Sequence, residues 1–119
     1  MSNNKIIDGN LEILLEEGET NTLLWNGKSE ARDPASILLP FFNNITEKLK
    51  NKKLIIKFEK LEYLNSSTVL PIIDLIKKLE SNGVDTMVTY DKESKWQIAS
   101  FKALDVIVQT MNHIKIQGV

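Results

Sequence analysis

The chain has 119 residues, of which 42% are hydrophobic and 26% are charged, a composition typical of a globular protein with its own core. Its 15 basic residues nearly balance its 16 acidic residues, which leaves a formal net charge of -1. A charge so close to zero gives no general attraction to nucleic acid or to an anionic membrane, so neither is expected as a partner. The absence of cysteine excludes thiol nucleophiles, thiolate metal sites and disulfides.

The length and the even composition predict a single domain over residues 1–119, because no repeat, low-complexity stretch or linker divides the sequence. Residues 1–7 contain only a short apolar segment, which ends at the charged residue Asp8. They therefore lack the continuous apolar stretch of a secretory signal. No segment has the length and hydrophobicity of a membrane span. These features predict a cytoplasmic location.

Two apolar runs, residues 11–15 and 22–25, form the first predicted strands. The segment between them contains Gly18, so we expect the two runs to form a hairpin. The second run is followed by Asn26-Gly27, a pair that favours positive φ and tight turns, so the strand is expected to end there.

A helical pattern covers residues 34–50, where apolar residues recur at three- and four-residue steps. Asp33 is a plausible N-cap and Pro34 a plausible first helical residue. Pro40 is expected to kink this helix or to delay its regular start. The apolar positions are Ile37, Leu38, Phe41, Phe42, Ile45 and Leu49.

The short apolar run at residues 54–58 has the length of a buried central strand, and residues 61–64 read as a further strand. Helical spacing of apolar residues then extends over residues 69–79. Lys77 and Lys78 interact favourably with the helix dipole at the C-terminal end of that helix. Asn82-Gly83 favours the left-handed backbone conformation at which helices commonly end.

Alternating residues predict a strand at 84–90 and a last strand at 113–116, with a helix at 94–108 between them. Strands that are separated by helices of this length pair in parallel through right-handed crossovers. The sequence therefore predicts an α/β fold, with an opening hairpin followed by alternating helices and strands, in which helices pack on a mixed sheet.

The turn Asn65-Ser66-Ser67-Thr68 lies where a strand gives way to a helix. Free backbone amides and the helix dipole favour an anionic group at such a position, including a phosphate. Pro71 is poorly tolerated inside a helix, so the regular helix is expected to begin later than Asn65.

This segment resembles the STAS domains of bacterial anti-sigma-factor antagonists, whose turn at this place reads Asp-Ser-Ser/Thr-Gly. The resemblance implies a STAS-like mixed sheet and places the phosphorylated serine of that family on Ser66, with Ser67 and Thr68 as alternatives. Asn65 and Thr68 differ from the family's Asp and Gly. The pair Trp96-Gln97 is also similar to a subgroup of stand-alone regulators that carry Trp-Gln near the start of the third helix.

The resemblance further implies a non-enzymatic regulator that switches partners when its serine is phosphorylated. The implied partners are a serine kinase or anti-sigma factor of the histidine-kinase-like ATPase fold and a PP2C-type phosphatase. The expected partner-binding residues are Asn65, Ser66, Ser67, Thr68 and Leu70.

Two other functions stay open at this point. The chain could be an unphosphorylated STAS-like scaffold or homodimerisation domain with a degenerate phosphosite. A small-molecule enzyme is disfavoured, because no catalytic pairing, phosphate loop or cofactor motif is visible and the lone His113 has no companion ligands for a metal.

Overall fold

The computed structural model describes residues 4–119, over which the chain forms a mixed sheet and three helices. No helix in this range is both long and apolar enough to cross a bilayer. In chain order the elements are β1 (Lys5–Asp8), β2 (Leu11–Glu16), β3 (Asn21–Ser29), α1 (Ala35–Lys48), β4 (Lys53–Lys57), β5 (Leu61–Leu64), α2 (Ser66–Ser81), β6 (Asp85–Tyr90), α3 (Lys95–Val108) and β7 (Ile114–Gly118).

The strands form one seven-stranded sheet in the order β1-β2-β3-β4-β6-β7, with β5 paired to β3. The first three strands are antiparallel, and β3, β4, β6 and β7 are parallel. This arrangement confirms the predicted α/β fold with a mixed sheet. The long strand β3 pairs first with β4 and then, past the end of β4, with β5, so β5 delivers the Asn65 turn to the end of β3.

The two faces of the sheet differ. Inward-pointing residues such as Leu23, Ile56 and Val88 are fully buried and share one core cluster with residues from α1, α2 and α3. The opposite face, which we call the open face, carries no helix from residues 4–119. Its outward-pointing residues, such as Ile55 and Met87, are only half buried.

The N-terminal strands differ from prediction in two places. The hairpin of β2 and β3 is confirmed, but β1 was not predicted and joins β2 through a tight turn at Gly9, whose φ is 60°. The expected strand end at Asn26-Gly27 is wrong, because β3 runs on to Ser29. Gly27, with φ 91°, instead lies at a register shift against β5, and a Cβ there would overlap the Asn10 carbonyl oxygen.

The prolines interrupt the helices less than expected. α1 runs without a break through Pro40, and its N-cap is Pro34 rather than Asp33. The expected late start of the second helix is also wrong, since α2 begins at Ser66 and contains Pro71. Burial explains this outcome, because Pro71 and the apolar side of α2 pack into the protein and this packing outweighs one missing backbone hydrogen bond.

Trp25 lies at the centre of the core and is fully buried. Its ring centroid is 4.9 Å from that of Phe58 and 5.9 Å from that of Phe42. Phe58 in turn lies 4.8 Å from Phe101 of α3. These aromatic contacts join the β3–β4 part of the sheet to α1 and α3.

A charged cluster joins α2, β6 and β7 at the end of the sheet remote from Ser66. The Glu80 carboxylate accepts hydrogen bonds from the backbone N–H groups of Asn112 (2.9 Å) and His113 (2.7 Å). The imidazole Nδ1 of His113 lies 2.8 Å from the Asp85 carboxylate. The hydrogen bonds to its carboxylate lower the pKa of Glu80. The hydrogen bond that the His113 imidazole donates to Asp85, aided by the charge of Glu80, raises the pKa of His113.

This cluster predicts a pH dependence of stability. Protonated His113 stabilises the fold below its ordinary pKa of 6.5, and that stabilisation is lost as the pH rises through the higher pKa of the folded state. We expect an NMR titration to give His113 a lower pKa in the Asp85→Asn variant than in the wild type. Equal pKa values in the two proteins would show that the Asp85 contact has no electrostatic effect on the imidazole.

Candidate functional site

The candidate site is the junction of β5 and α2, and Asn65 sets its geometry. Asn65 has extended backbone angles and is the N-cap of α2. Its side-chain oxygen accepts hydrogen bonds from the Thr68 backbone N–H (3.1 Å) and from the Thr68 hydroxyl (2.6 Å). The first of these satisfies one of the free amides at the start of the helix.

The other half of the Asn65 amide holds a distant loop. Its Nδ2 donates to the backbone carbonyl of Ala31 at 2.8 Å, and the Asn65 backbone N–H donates to the carbonyl of Ser29. An aspartate has no proton to give to Ala31. Asparagine at this position is therefore suited to a structure in which the loop after β3 is tied to the start of α2.

Thr68 is part of the same network and is fully buried. Its hydroxyl donates to Asn65 and lies 2.7 Å from the hydroxyl of Ser29. A hydroxyl has one proton, so Ser29 is the donor in the second bond. Of the three predicted hydroxyl positions, Thr68 thus points into the protein, which leaves Ser66 and Ser67 at the surface.

Beside Ser66 lies an exposed apolar surface. Leu70, one helical turn after Ser66, is 74% exposed, and Val69 is 42% exposed. Residues three and four positions apart lie on the same side of a helix, so Ser66, Val69 and Leu70 share one exposed face. We call this the Ser66 face.

The Ser66 face continues into a shallow groove between α1 and α2 with a mainly apolar lining. Its charged lining residues are Asp74 and Lys77, and Asp74 also forms an ion pair with Lys78 at 2.6 Å. The groove is lined by Ala35, Leu39, Leu70, Pro71, Ile73, Asp74 and Lys77.

Gln97 is a supporting residue whose structural role the sequence did not predict. It lies on the first turn of α3, is 1% exposed, and donates to the backbone carbonyls of Phe58 (2.8 Å) and Leu61 (2.9 Å). Its side-chain oxygen accepts from the Asp91 backbone N–H at 2.7 Å. Gln97 therefore fixes the loop before β5. The Trp96-Gln97 pair was the signal that marked this segment, although not its role.

The described residues hold no cluster of histidine and carboxylate side chains that could bind a metal ion. No protein-family model matches the sequence, and no curated protein sequence matches it either. Comparison of the fold with solved structures is more informative.

An anti-sigma factor antagonist from Mycobacterium paratuberculosis matches the structure with a TM-score of 0.63 at 14% identity, over 86% of each chain. The antagonist SpoIIAA in its unphosphorylated form matches with a TM-score of 0.58 at 17% identity, over 88% of this chain and 87% of that chain. The chain has the fold of the anti-sigma-factor antagonists. At these identities the likeness establishes this STAS fold, in agreement with the resemblance of the Asn65 turn.

A third structure with the STAS fold extends the comparison. A chain in the complex of the diguanylate cyclase SiaD with its activator SiaC from Pseudomonas aeruginosa matches with a TM-score of 0.67 at 16% identity. The match covers 97% of this chain and 98% of that chain. The fold thus also occurs in a complex between an enzyme and its protein activator.

Proposed function

We propose that this chain is a non-enzymatic, cytoplasmic regulator that binds a protein partner through the Ser66 face, and that phosphorylation of Ser66 switches the binding. The observation that carries the proposal is the position of an exposed serine hydroxyl one helical turn from Leu70, the most exposed large apolar side chain of the described residues. A kinase can reach the serine, and a partner can bury the leucine.

The chemistry of the switch follows from that position. A phosphate on Ser66 would add about 1.5 to 2 negative charges beside the apolar surface at neutral pH. A partner that covers Leu70 would then have to desolvate the phosphate, which opposes binding. The helix N-terminus tolerates the added anion, and the bonds among Asn65, Thr68 and Ser29 hold the backbone. The switch therefore needs no change of fold.

The resemblance to antagonists suggests the enzymes that act on Ser66. They are a serine kinase or anti-sigma factor of the histidine-kinase-like ATPase fold and a PP2C-type phosphatase. The likeness to the SiaD–SiaC complex suggests that the partner regulated in this way can also be an enzyme, as the cyclase is there.

The test is to map phosphate on the chain by mass spectrometry after expression in its native cells. We expect phosphate on Ser66, its loss in Ser66→Ala, and retention in the matched variant Ser67→Ala. The Thr68→Val variant is expected to keep the modification, because the Thr68 hydroxyl is buried. Undiminished phosphorylation of the chain in Ser66→Ala would contradict the assignment of the acceptor.

Capture of partners from the same cells tests the surface separately. Leu70→Asp is expected to lose the partners that bind the unphosphorylated wild type, since a charge would replace the exposed anchor. Val106→Asp is a matched control on α3, where Val106 is 68% exposed. Equal loss of the same partners in both variants would contradict docking at the Ser66 face.

A second function, an unphosphorylated scaffold, is favoured by one observation. Asn65 and Thr68, the two departures from the antagonist turn, both take part in structural hydrogen bonds to the β3 end. A turn that serves only to hold the fold would contain the same bonds. Absence of phosphate from the native protein under all growth conditions would favour this function over the switch.

A further inference from the structure

A row of five paired residues crosses the open face of the sheet from β2 to β7. On neighbouring strands, Glu16 lies opposite Thr22, Thr22 opposite Ile55, Ile55 opposite Met87, and Met87 opposite Lys115. The three central residues are half buried, and the two ends are exposed. With strands about 4.8 Å apart, the row is about 19 Å long.

The two ends of the row carry opposite charges. Glu16 lies at one end and Lys115 at the other, and neither forms an ion pair within residues 4–119. The row therefore reads acidic, apolar, basic, with Ile55 of β4 at its midpoint. A surface with this pattern is complementary to a copy of itself turned by 180°.

We propose that the open face is a homodimer interface in which two copies stack sheet on sheet about a two-fold axis that runs along β4. This axis places Ile55 on its own counterpart and Thr22 on the partner's Met87. It also brings Glu16 to the partner's Lys115 at both ends of the row. The two sheets lie about 10 Å apart, as in other face-to-face packings, a gap that Glu and Lys side chains can span.

The other residues of the open face are compatible with this stacking. Leu14 and Leu24 are paired on β2 and β3, in a row that continues to Lys57 of β4. Lys53 and Lys57 flank Ile55 on the same face of β4, so the two-fold axis places each of them near its own counterpart. Their long side chains have to turn aside to keep the ammonium groups in water. The inference is independent of phosphorylation, because Ser66 and α2 lie on the other side of the sheet.

The patch is small for a specific interface, so we expect a weak dimer with a dissociation constant of about 10 to 500 μM. Sedimentation velocity of the purified full chain from about 10 μM to 1 mM measures it. Glu16→Lys and Lys115→Glu are each expected to weaken dimerisation at least about tenfold, since each replaces two attractive pairs by repulsive ones. The double variant is expected to recover wild-type association.

Three controls keep the test decisive. Circular dichroism verifies that each variant is folded, Met87→Lys is expected to abolish the dimer without involving either end of the row, and Leu70→Lys on the Ser66 face is expected to leave it unchanged. A protein that stays monomeric at about 1 mM would overturn the proposal. So would a double variant that associates no better than the single variants, or dimerisation unaffected by Met87→Lys.

Discussion

Replacing Gln97 with leucine is expected to lower the free energy of unfolding by about 2 to 5 kcal/mol, because each buried polar group left without a partner costs about 1 to 3 kcal/mol. The groups concerned are the carbonyl of Leu61 and the N–H of Asp91, whereas the carbonyl of Phe58 loses one of two bonds and keeps the one from the Leu61 N–H. Leucine is similar in size to glutamine, so the loss reflects hydrogen bonding rather than a cavity.

Chemical denaturation monitored by tryptophan fluorescence measures this loss, with Gln109→Leu as the matched control. Gln109 is exposed at the end of α3, so its replacement is expected to change stability by no more than about 0.5 kcal/mol. If the Gln97 and Gln109 variants were equally stable, the Leu61 carbonyl and the Asp91 N–H would have other partners and the role assigned to Gln97 would be wrong.

Replacing Asn65 with alanine is expected to cost about 2 to 4 kcal/mol, since it removes the helix N-cap, worth about 1 kcal/mol, and leaves the Ala31 carbonyl and the Thr68 hydroxyl with unmet bonds. Asn65→Asp separates these effects. The carboxylate still caps α2 and accepts from Thr68, but it cannot donate to Ala31. We expect this variant to lose about 1 to 3 kcal/mol.

Thermal or urea unfolding of both Asn65 variants checks the order, in which wild type is the most stable protein and Asn65→Ala the least. Asn43→Ala, at an exposed position inside α1, is the matched control and is expected to have little effect. An Asn65→Asp variant as stable as the wild type would show that the Ala31 contact contributes nothing and that aspartate is excluded here for some other reason.

Local pattern was sufficient to predict most elements of the fold. The period of two along residues 84–90 and the period near 3.6 along 94–108 each gave the correct element, because one face of each is buried in the shared core. Gly27 was misread, because a glycine that favours a turn also suits a bulge, and only the neighbouring chain at Asn10 decides between them. β1 is too short for its alternation to be recognised.

The candidate site was predictable in position but not in detail. Local sequence placed the Ser66 hydroxyl at a helix start. It did not reveal that Thr68 points inward, because that depends on Ser29, 39 residues earlier, and the use of the Asn65 amide depends on Ala31, 34 residues earlier. The burial of Gln97 was not predicted for a similar reason. A glutamine on a helix is usually exposed, and only the distant carbonyls of Phe58 and Leu61 explain why this one is buried.

The bonds among Asn65, Thr68 and Ser29 bear on the speed of recognition. Because they fix the start of α2 in the free protein, a partner that docks on the proposed Ser66 face would meet a surface that is already ordered and would have little ordering entropy to overcome. Association would then be limited by diffusion and orientation, in the range of about 10⁵ to 10⁷ M⁻¹ s⁻¹. Differences in affinity between partners would lie mainly in how long each complex lasts.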